Sequence, residues 1–252
     1  MTFCLGITVE DGLVGLADTR ITAGNEMTTA QKLSTYETQS GAVFFMTSGL
    51  RSLRDKVATY FEEALESGPP PDKLYKAVNL FADLVRRVAK EDKEYLDASG
   101  LQFNIHAIMG GQFSADATHK LFLIYPQGNW VEITSGTPYH IIGETGYGKP
   151  VLDRTLKHAD SIHFALKVGC LAFDSTRISA ADVDFPLDVV VYSKGSFSLI
   201  EHRFEQNDLA HISTWWQERL REDVHALPSE WIDAIAASLS PSSRKLHSKT
   251  ED

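Results

Sequence analysis

The stretch MTFCLGITVEDGLVGLAD, residues 1–18, decides the reading of this chain. From Phe3 to Val9 apolar residues alternate: Phe3, Leu5, Ile7 and Val9 share one face, and Cys4, Gly6 and Thr8 share the other. A period of two marks a half-buried strand. Asp11-Gly12 is a hairpin signal, and Leu13 to Asp18 is the returning strand. A packed strand therefore starts almost at the first residue. Chain ends fray unless a sheet holds them, so the ordered terminus needs a purpose.

Thr2 supplies one. Methionine aminopeptidase removes Met1 when the next residue is small, and threonine qualifies. The bared residue carries a hydroxyl and an α-amine on one carbon framework. The ordinary pKa of such an amine, about 7.7–8.0, lets it take the hydroxyl proton near neutral pH. One residue then serves as nucleophile and base. The plain alternative is a threonine that merely follows the start codon.

The hairpin strengthens the first reading. It returns Asp18 to within two or three residues of Thr2, roughly 10 Å or less at about 3.3 Å per residue. A three-residue or bulged turn sets Asp18 on the face of Thr2; a two-residue turn does not. A carboxylate at the end of the apolar run VGLAD is costly unless paired. Lys32, in TAQKLS, is the candidate partner. A lysine beside the nucleophile would lower the hydroxyl's pKa, and Asp18 would hold that lysine charged and placed. Gly49, in FFMTSGL, lies between a buried strand and a helix, where backbone N–H groups suit an oxyanion. A surface ion pair and a turn glycine are the alternatives.

Further along, AVFFMT (42–47) is a continuous apolar strand. Leu50, Leu53, Val57, Phe61 and Leu65 fall at helical spacing, SGPPP (67–71) breaks the chain, and Leu74, Val78, Phe81, Val85 and Val88 form a second stripe. FNIHAIMGG, HKLFLIYPQGNW and WVEIT read as a meander with a turn at 126–129. Two helical segments follow, around 151–157 and 161–173. FPLDVVVYSKGSFSLIEH is a hairpin with Lys194-Gly195 at its tip, and a helix pair is expected at 208–222 and 229–238. The order is strands, two helices, strands, two helices, strands. It predicts an α+β fold of two stacked antiparallel sheets with helix layers outside. One domain is expected over 1–239, including a C-terminal helical extension over about 205–239, with 240–252 a disordered tail.

The chain has 252 residues, of which 43% are apolar, and a net charge of −10. That balance argues against nucleic acid and anionic membranes as partners. No run reaches the roughly 18 apolar residues of a membrane span, and no signal peptide is visible. Cys4 and Cys170 read as reduced thiols, so a cytoplasmic, bacterial-type protein is expected. The histidines do not form H-E-x-x-H, and GETGYGKP misses the phosphate-loop spacing. Neither a metal nor a cofactor is expected. Trp215-Trp216 sits on an amphipathic stretch that suits core or a subunit contact.

Taken together, the near-terminal threonine, Asp18 closing the second strand, Lys32-Leu33, the Ser48-Gly49-Leu50 element, MGG, LFLIYPQGNW and FDSTRIS resemble the proteasome β-subunit family of N-terminal-nucleophile hydrolases. GETGYGKPVLDRTL and DSTRIS…FPLDVVVY resemble most closely its bacterial ancestral β-subunit, or Anbu, branch. The resemblance implies a four-layer αββα sandwich and a threonine-type peptidase or amide hydrolase. It implies Thr2 as nucleophile, Asp18 and Lys32 as activating pair and the Gly49 amide as oxyanion donor. Arg20 would buttress the lysine, and Asp174 and Ser175 would support the terminal amine. Where the family has Gly-Ser-Gly near the nucleophile, this chain has Gly143-Glu144-Thr145-Gly146, so Glu144 or Thr145 stands in for the serine. A homo-oligomeric ring or open spiral acting on peptides or unfolded protein is implied, with an ATPase partner not identifiable. The rival functions are a weakly active or inactive self-assembling scaffold, and an amidohydrolase of a small peptide-like metabolite.

Overall fold

The computed structural model describes residues 2–23, 26–233 and 235. In chain order the strands are β1 (Phe3–Val9), β2 (Gly12–Asp18), β3 (Arg20–Ala23), β4 (Glu26–Thr29), β5 (Leu33–Thr38), β6 (Gly41–Gly49), β7 (Ile105–Phe113), β8 (Lys120–Ile124), β9 (Trp130–Glu132), β10 (Tyr139–Gly143), β11 (Leu187–Ser193) and β12 (Leu199–Phe204). The helices are α1 (Arg51–Ser67), α2 (Leu74–Ala98), α3 (Lys149–Thr155), α4 (Ile162–Ser179) and α5 (Gln206–His225). A single 3₁₀ turn spans Glu230–Ile232.

Two five-stranded antiparallel sheets carry the fold, ordered β10-β1-β2-β11-β12 and β5-β6-β7-β8-β9. β3 and β4 form a separate small ribbon. Because β1 pairs on both sides, with β10 and with β2, it is an interior strand of its sheet. All seven of its residues are buried, as are all seven of β2. The near-terminal strand is thus fixed by two ladders of hydrogen bonds.

Three clusters fill the core. Leu53, Val57 and Phe61 of α1 and Ala77, Val78, Phe81 and Val85 of α2 pack on Val43, Phe45, Ala107 and Met109 of the second sheet. Phe45, Phe61 and Phe81 contribute ring contacts at 5.0 to 5.5 Å between centroids, a favourable aromatic spacing. Ala165, Val168, Ala172 and Phe173 of α4 pack on Phe3, Leu5, Ile7, Val14 and Leu16 of the first sheet. Between the sheets, Cys4, Leu13 and Ala17 meet Leu33, Phe44, Met46, Ile108 and Leu121. The alternation in residues 3–9 is therefore real, but both faces are buried: one against helices, the other against the second sheet.

Several boundaries differ from the sequence reading. The β1–β2 loop is Glu10-Asp11, and Gly12 pairs with Val9. α2 runs to Ala98, well past its apolar stripe. Its polar second half is held by charge, with Lys56 of α1 bonded to Glu91 and Asp92 at 2.7 and 2.9 Å. α5 is longer than expected, and the second expected helix shows a 3₁₀ turn at Glu230–Ile232 followed by helical Asp233 and Ile235 among its described residues. Positions 236–238 and the tail 240–252 lie outside the described residues. The chain divides into two compact units, the first ending at Leu209 and the second starting at Ala210. Among the described residues no helix is long and apolar enough to cross a membrane.

Candidate active site

Thr2 is held where β1 begins. Its carbonyl accepts a hydrogen bond from the Glu144 amide at 2.7 Å, and the residue is 7% exposed. Gly143 lies opposite Phe3 in the ladder. It has a φ of +92°, and any Cβ there would stand 1.9 Å from the Thr2 carbonyl oxygen and 3.1 Å from the Thr2 Cβ. Glycine is the residue that permits both that backbone and that approach.

The register settles the position of Asp18. Cys4 opposes Ala17, so Asp18 falls opposite Phe3, one step from the Thr2 face. Asp18 reaches the terminus through its oxygen instead. Oδ1 accepts the Phe3 amide at 2.8 Å and the Lys32 ammonium at 2.7 Å. Neither side chain is exposed to solvent. Burial pushes the Asp18 carboxyl above its ordinary range, while Lys32 and the Phe3 amide pull it back. Its Oδ2 is buried with no hydrogen-bond partner among the described residues.

Lys32 makes a second bond, to the Arg20 carbonyl at 2.8 Å. Arg20 therefore meets the lysine through its backbone, while its guanidinium pairs with Asp184 at 3.0 Å. The Lys32 carbonyl accepts the Thr47 amide at 3.0 Å, which ties the lysine to β6. Gly49 ends that strand two residues on, about 7 Å further along. Its φ is +123°, and a Cβ would lie 2.1 Å from the Asn104 carbonyl oxygen. Backbone geometry alone demands glycine there.

The remaining expected residues sit on neighbouring elements. Glu144 is half-buried; besides its amide bond to Thr2, its Oε1 accepts the Gly146 amide at 3.2 Å. Thr145 is exposed, and its carbonyl accepts the Lys149 amide as α3 begins. Asp174 is buried on α4, where it accepts a bond from Arg177 at 2.7 Å. Ser175 follows it, half-buried. The structure thus gathers Thr2, Asp18, Lys32, the Arg20 carbonyl and the Glu144 amide at one corner of the first sheet.

The sequence reading missed Arg54. This residue of α1 is 4% exposed, and its Nε donates to Thr47 Oγ1 at 3.0 Å. Its position was legible, because it lies four residues after Leu50 and three before Val57, on the apolar stripe itself. Cys4, behind the terminus, is an unsuitable nucleophile: burial pushes its thiol up to about 12.

A near-terminal threonine pinned by an interior strand, with a buried aspartate–lysine pair beside it, is the arrangement of proteasome-β-like N-terminal-nucleophile hydrolases. Solved structures narrow the class. Anbu from a Hyphomicrobium species, in a Gly-1 mutant form, is 31% identical over 90% of this chain and 99% of its own, with a TM-score of 0.83. Anbu from Yersinia bercovieri is 29% identical over 90% and 97%, with a TM-score of 0.83. A helical assembly of the Anbu complex from Pseudomonas aeruginosa is 31% identical over 90% and 97%, with a TM-score of 0.84. No family model and no curated relative matches the chain. The chain belongs to the Anbu, or ancestral β-subunit, family.

Proposed function

We propose that this protein is an N-terminal-threonine amide hydrolase of the four-layer αββα type, cutting peptides or unfolded chains within a self-assembled ring or spiral. The observation that carries this reading is the Asp18–Lys32 pair, fully buried and bonded to the amide that follows Thr2. Burying two charges is expensive. A sheet corner that needed only stability would be better served by apolar residues.

The steps follow from the residues. Removal of Met1 frees the Thr2 amine. The Thr2 hydroxyl attacks an amide carbonyl, a C–O bond forms, and the hydroxyl proton passes to the amine directly or through water. The developing oxyanion is stabilised by the Gly49 amide. The C–N bond then breaks, and the proton leaves with the departing amine. Water attacks the resulting ester, giving the acid and restoring the hydroxyl. Lys32, held by Asp18 and the Arg20 carbonyl, keeps positive charge beside the oxygen and favours its ionised form. Glu144 or Thr145 stands in for the family serine, with the Glu144 amide holding Thr2 in line. Asp174 and Ser175 support the freed amine from α4. Self-assembly is favoured by the helical assembly of the Pseudomonas relative.

Intact mass of the purified protein, with and without a peptide epoxyketone or boronate, tests the reading. Loss of Met1 and an adduct on Thr2, absent in Thr2→Ala, are expected. Retained Met1, or labelling that survives Thr2→Ala, would leave the scaffold reading in its place. Light scattering separates a large assembly from a monomer.

A further inference from the structure

Arg54 is a charged side chain in a place where charge is costly. It lies on the buried face of α1 between Leu53 and Val57, which are 1% and 0% exposed. Thr47 opposes Lys32 across the β5–β6 pairing, one step beyond the Leu33–Met46 pair. Directly opposed residues of antiparallel strands leave the sheet on the same face. Lys32 and Thr47 therefore project side by side, and Arg54 donates to the Thr47 hydroxyl at 3.0 Å. A second donor, Nη2, reaches the carbonyl of Gln31, the residue before Lys32, at 3.4 Å. The guanidinium is thus built onto the two strands that carry the lysine.

No carboxylate pairs with it. Among the described residues Arg54 has no ion-pair partner; Asp55 pairs with Arg51 at 3.2 Å, and Asp188 of β11 pairs with Arg203 at 2.6 Å. The charged and titratable groups that act on it are Cys4 of β1, Asp18 of β2, and Arg51 and Asp55 of its own helix, and Lys32 and Asp188 join it around Cys4. Cys4 is a neutral thiol whose Sγ lies 3.8 Å from the Thr47 carbonyl. Of the two buried cations, Lys32 is bonded to the Asp18 carboxylate, while Arg54 only feels its charge at longer range. That carboxylate has one oxygen bonded twice and the other with no partner. Burial pulls Arg54 down from its ordinary range, and the Asp55 and Asp18 carboxylates oppose this. An arginine remains cationic regardless.

We propose that Arg54 is a positioning residue of the threonine site: its unpaired guanidinium gives the buried corner a net positive charge that keeps the catalytic base unprotonated at neutral pH. The inference rests on the threonine-hydrolase reading. The sign is fixed by electrostatics, since a neighbouring cation disfavours the protonated form of any base. With an effective dielectric of about 20, one unit charge within about 10 Å of a base moves its midpoint by on the order of one pH unit.

The test is the pH dependence of Thr2 labelling by a peptide boronate, in the full chain. Arg54→Lys keeps the charge, so the acid-side midpoint stays with the wild type. Arg54→Gln removes it, so the midpoint rises by about one unit. Thr47→Val, nearly isosteric, removes the hydroxyl anchor; it moves the midpoint the same way by a smaller amount and serves where Arg54→Gln does not fold. A folded neutral variant with the wild-type midpoint, or equal shifts in the Lys and Gln variants, overturns the inference and leaves Arg54 a structural tie. Absence of labelling in the wild type itself overturns the threonine-hydrolase reading instead, so the two failures are distinguishable.

Discussion

Lys32 Nζ lies 2.7 Å from Asp18 Oδ1, and both side chains are wholly excluded from solvent. Removing either partner leaves an uncompensated charge in the interior, which costs about 3–5 kcal/mol. Lys32→Met should therefore lower the urea midpoint strongly, and Asp18→Asn should do so as well. The double variant should recover a large part of that loss, because neither member of the pair is then left as a lone buried charge, and Arg54 is common to all four proteins. Urea unfolding of the four proteins measures this. Additive losses in the double variant would mean that the pair does not act as a unit.

Gly143 makes a sharper test of the terminus. With φ at +92° and the Thr2 carbonyl 1.9 Å from where a Cβ would stand, Gly143→Ala has to push Thr2 aside. The left-handed backbone alone costs on the order of 1–3 kcal/mol in a non-glycine residue. Gly146, three residues on, would bring its Cβ no nearer than 3.4 Å to the Glu144 Oε1. Gly143→Ala should lose boronate labelling and melt earlier, while Gly146→Ala should retain both properties. Thermal melts with labelling, run together, report whether the Thr2 position matters independently of the loop.

How far the sequence led depends on where hydrophobic signal was strong. Residues 3–18 were legible because alternation and a turn signal agree there. The face of Asp18 was not, since it depends on a one-residue difference in loop length, and the two-residue loop Glu10-Asp11 decides it. β5 was missed because LSTYET is polar and only partly buried at the sheet's edge. β10 was missed because YHIIG runs straight into a glycine-rich turn. Arg54 escaped because a helical stripe is read by its apolar members. A charge on that stripe was itself the signal.

The second unit bears on assembly. From Trp215 onward, large apolar side chains stand exposed: Trp215 at 53%, Val224 at 71%, Leu227 at 59% and Trp231 at 71%. Such patches mark interaction surfaces. If self-assembly uses them, a chain ending at Leu209 should stay folded, since its clusters lie within the first unit, and light scattering should find fewer subunits per particle than for the full chain. Trp215→Glu and Trp231→Glu together should act in the same direction. Equal numbers of subunits in the assemblies of the full and shortened chains would assign assembly to the first unit.

Acid stability follows from three histidines. Burial depresses His106, His119 and His140 below their ordinary value. His119 is the most enclosed, with Nε2 2.9 Å from the Val9 carbonyl. A depressed histidine is neutral in the folded protein at a pH where the unfolded chain, with its ordinary pKa of about 6.5, already binds a proton. The unfolded state then holds more protons, so stability is complete above about 6.5 and falls as pH drops through the folded value. Each such histidine contributes a slope of up to about 1.4 kcal/mol per pH unit inside that window. Asp18, raised by burial, acts in the opposite sense, since the folded state takes up its proton first as pH falls toward the carboxylate range. Comparing His119→Gln with the wild type isolates one group from the rest. Urea midpoints between pH 7.5 and 5.5 should fall less in His119→Gln than in the wild type, by up to one proton's worth of slope. Parallel curves would place the acid sensitivity in His106 and His140, at the sheet interface nearer the threonine.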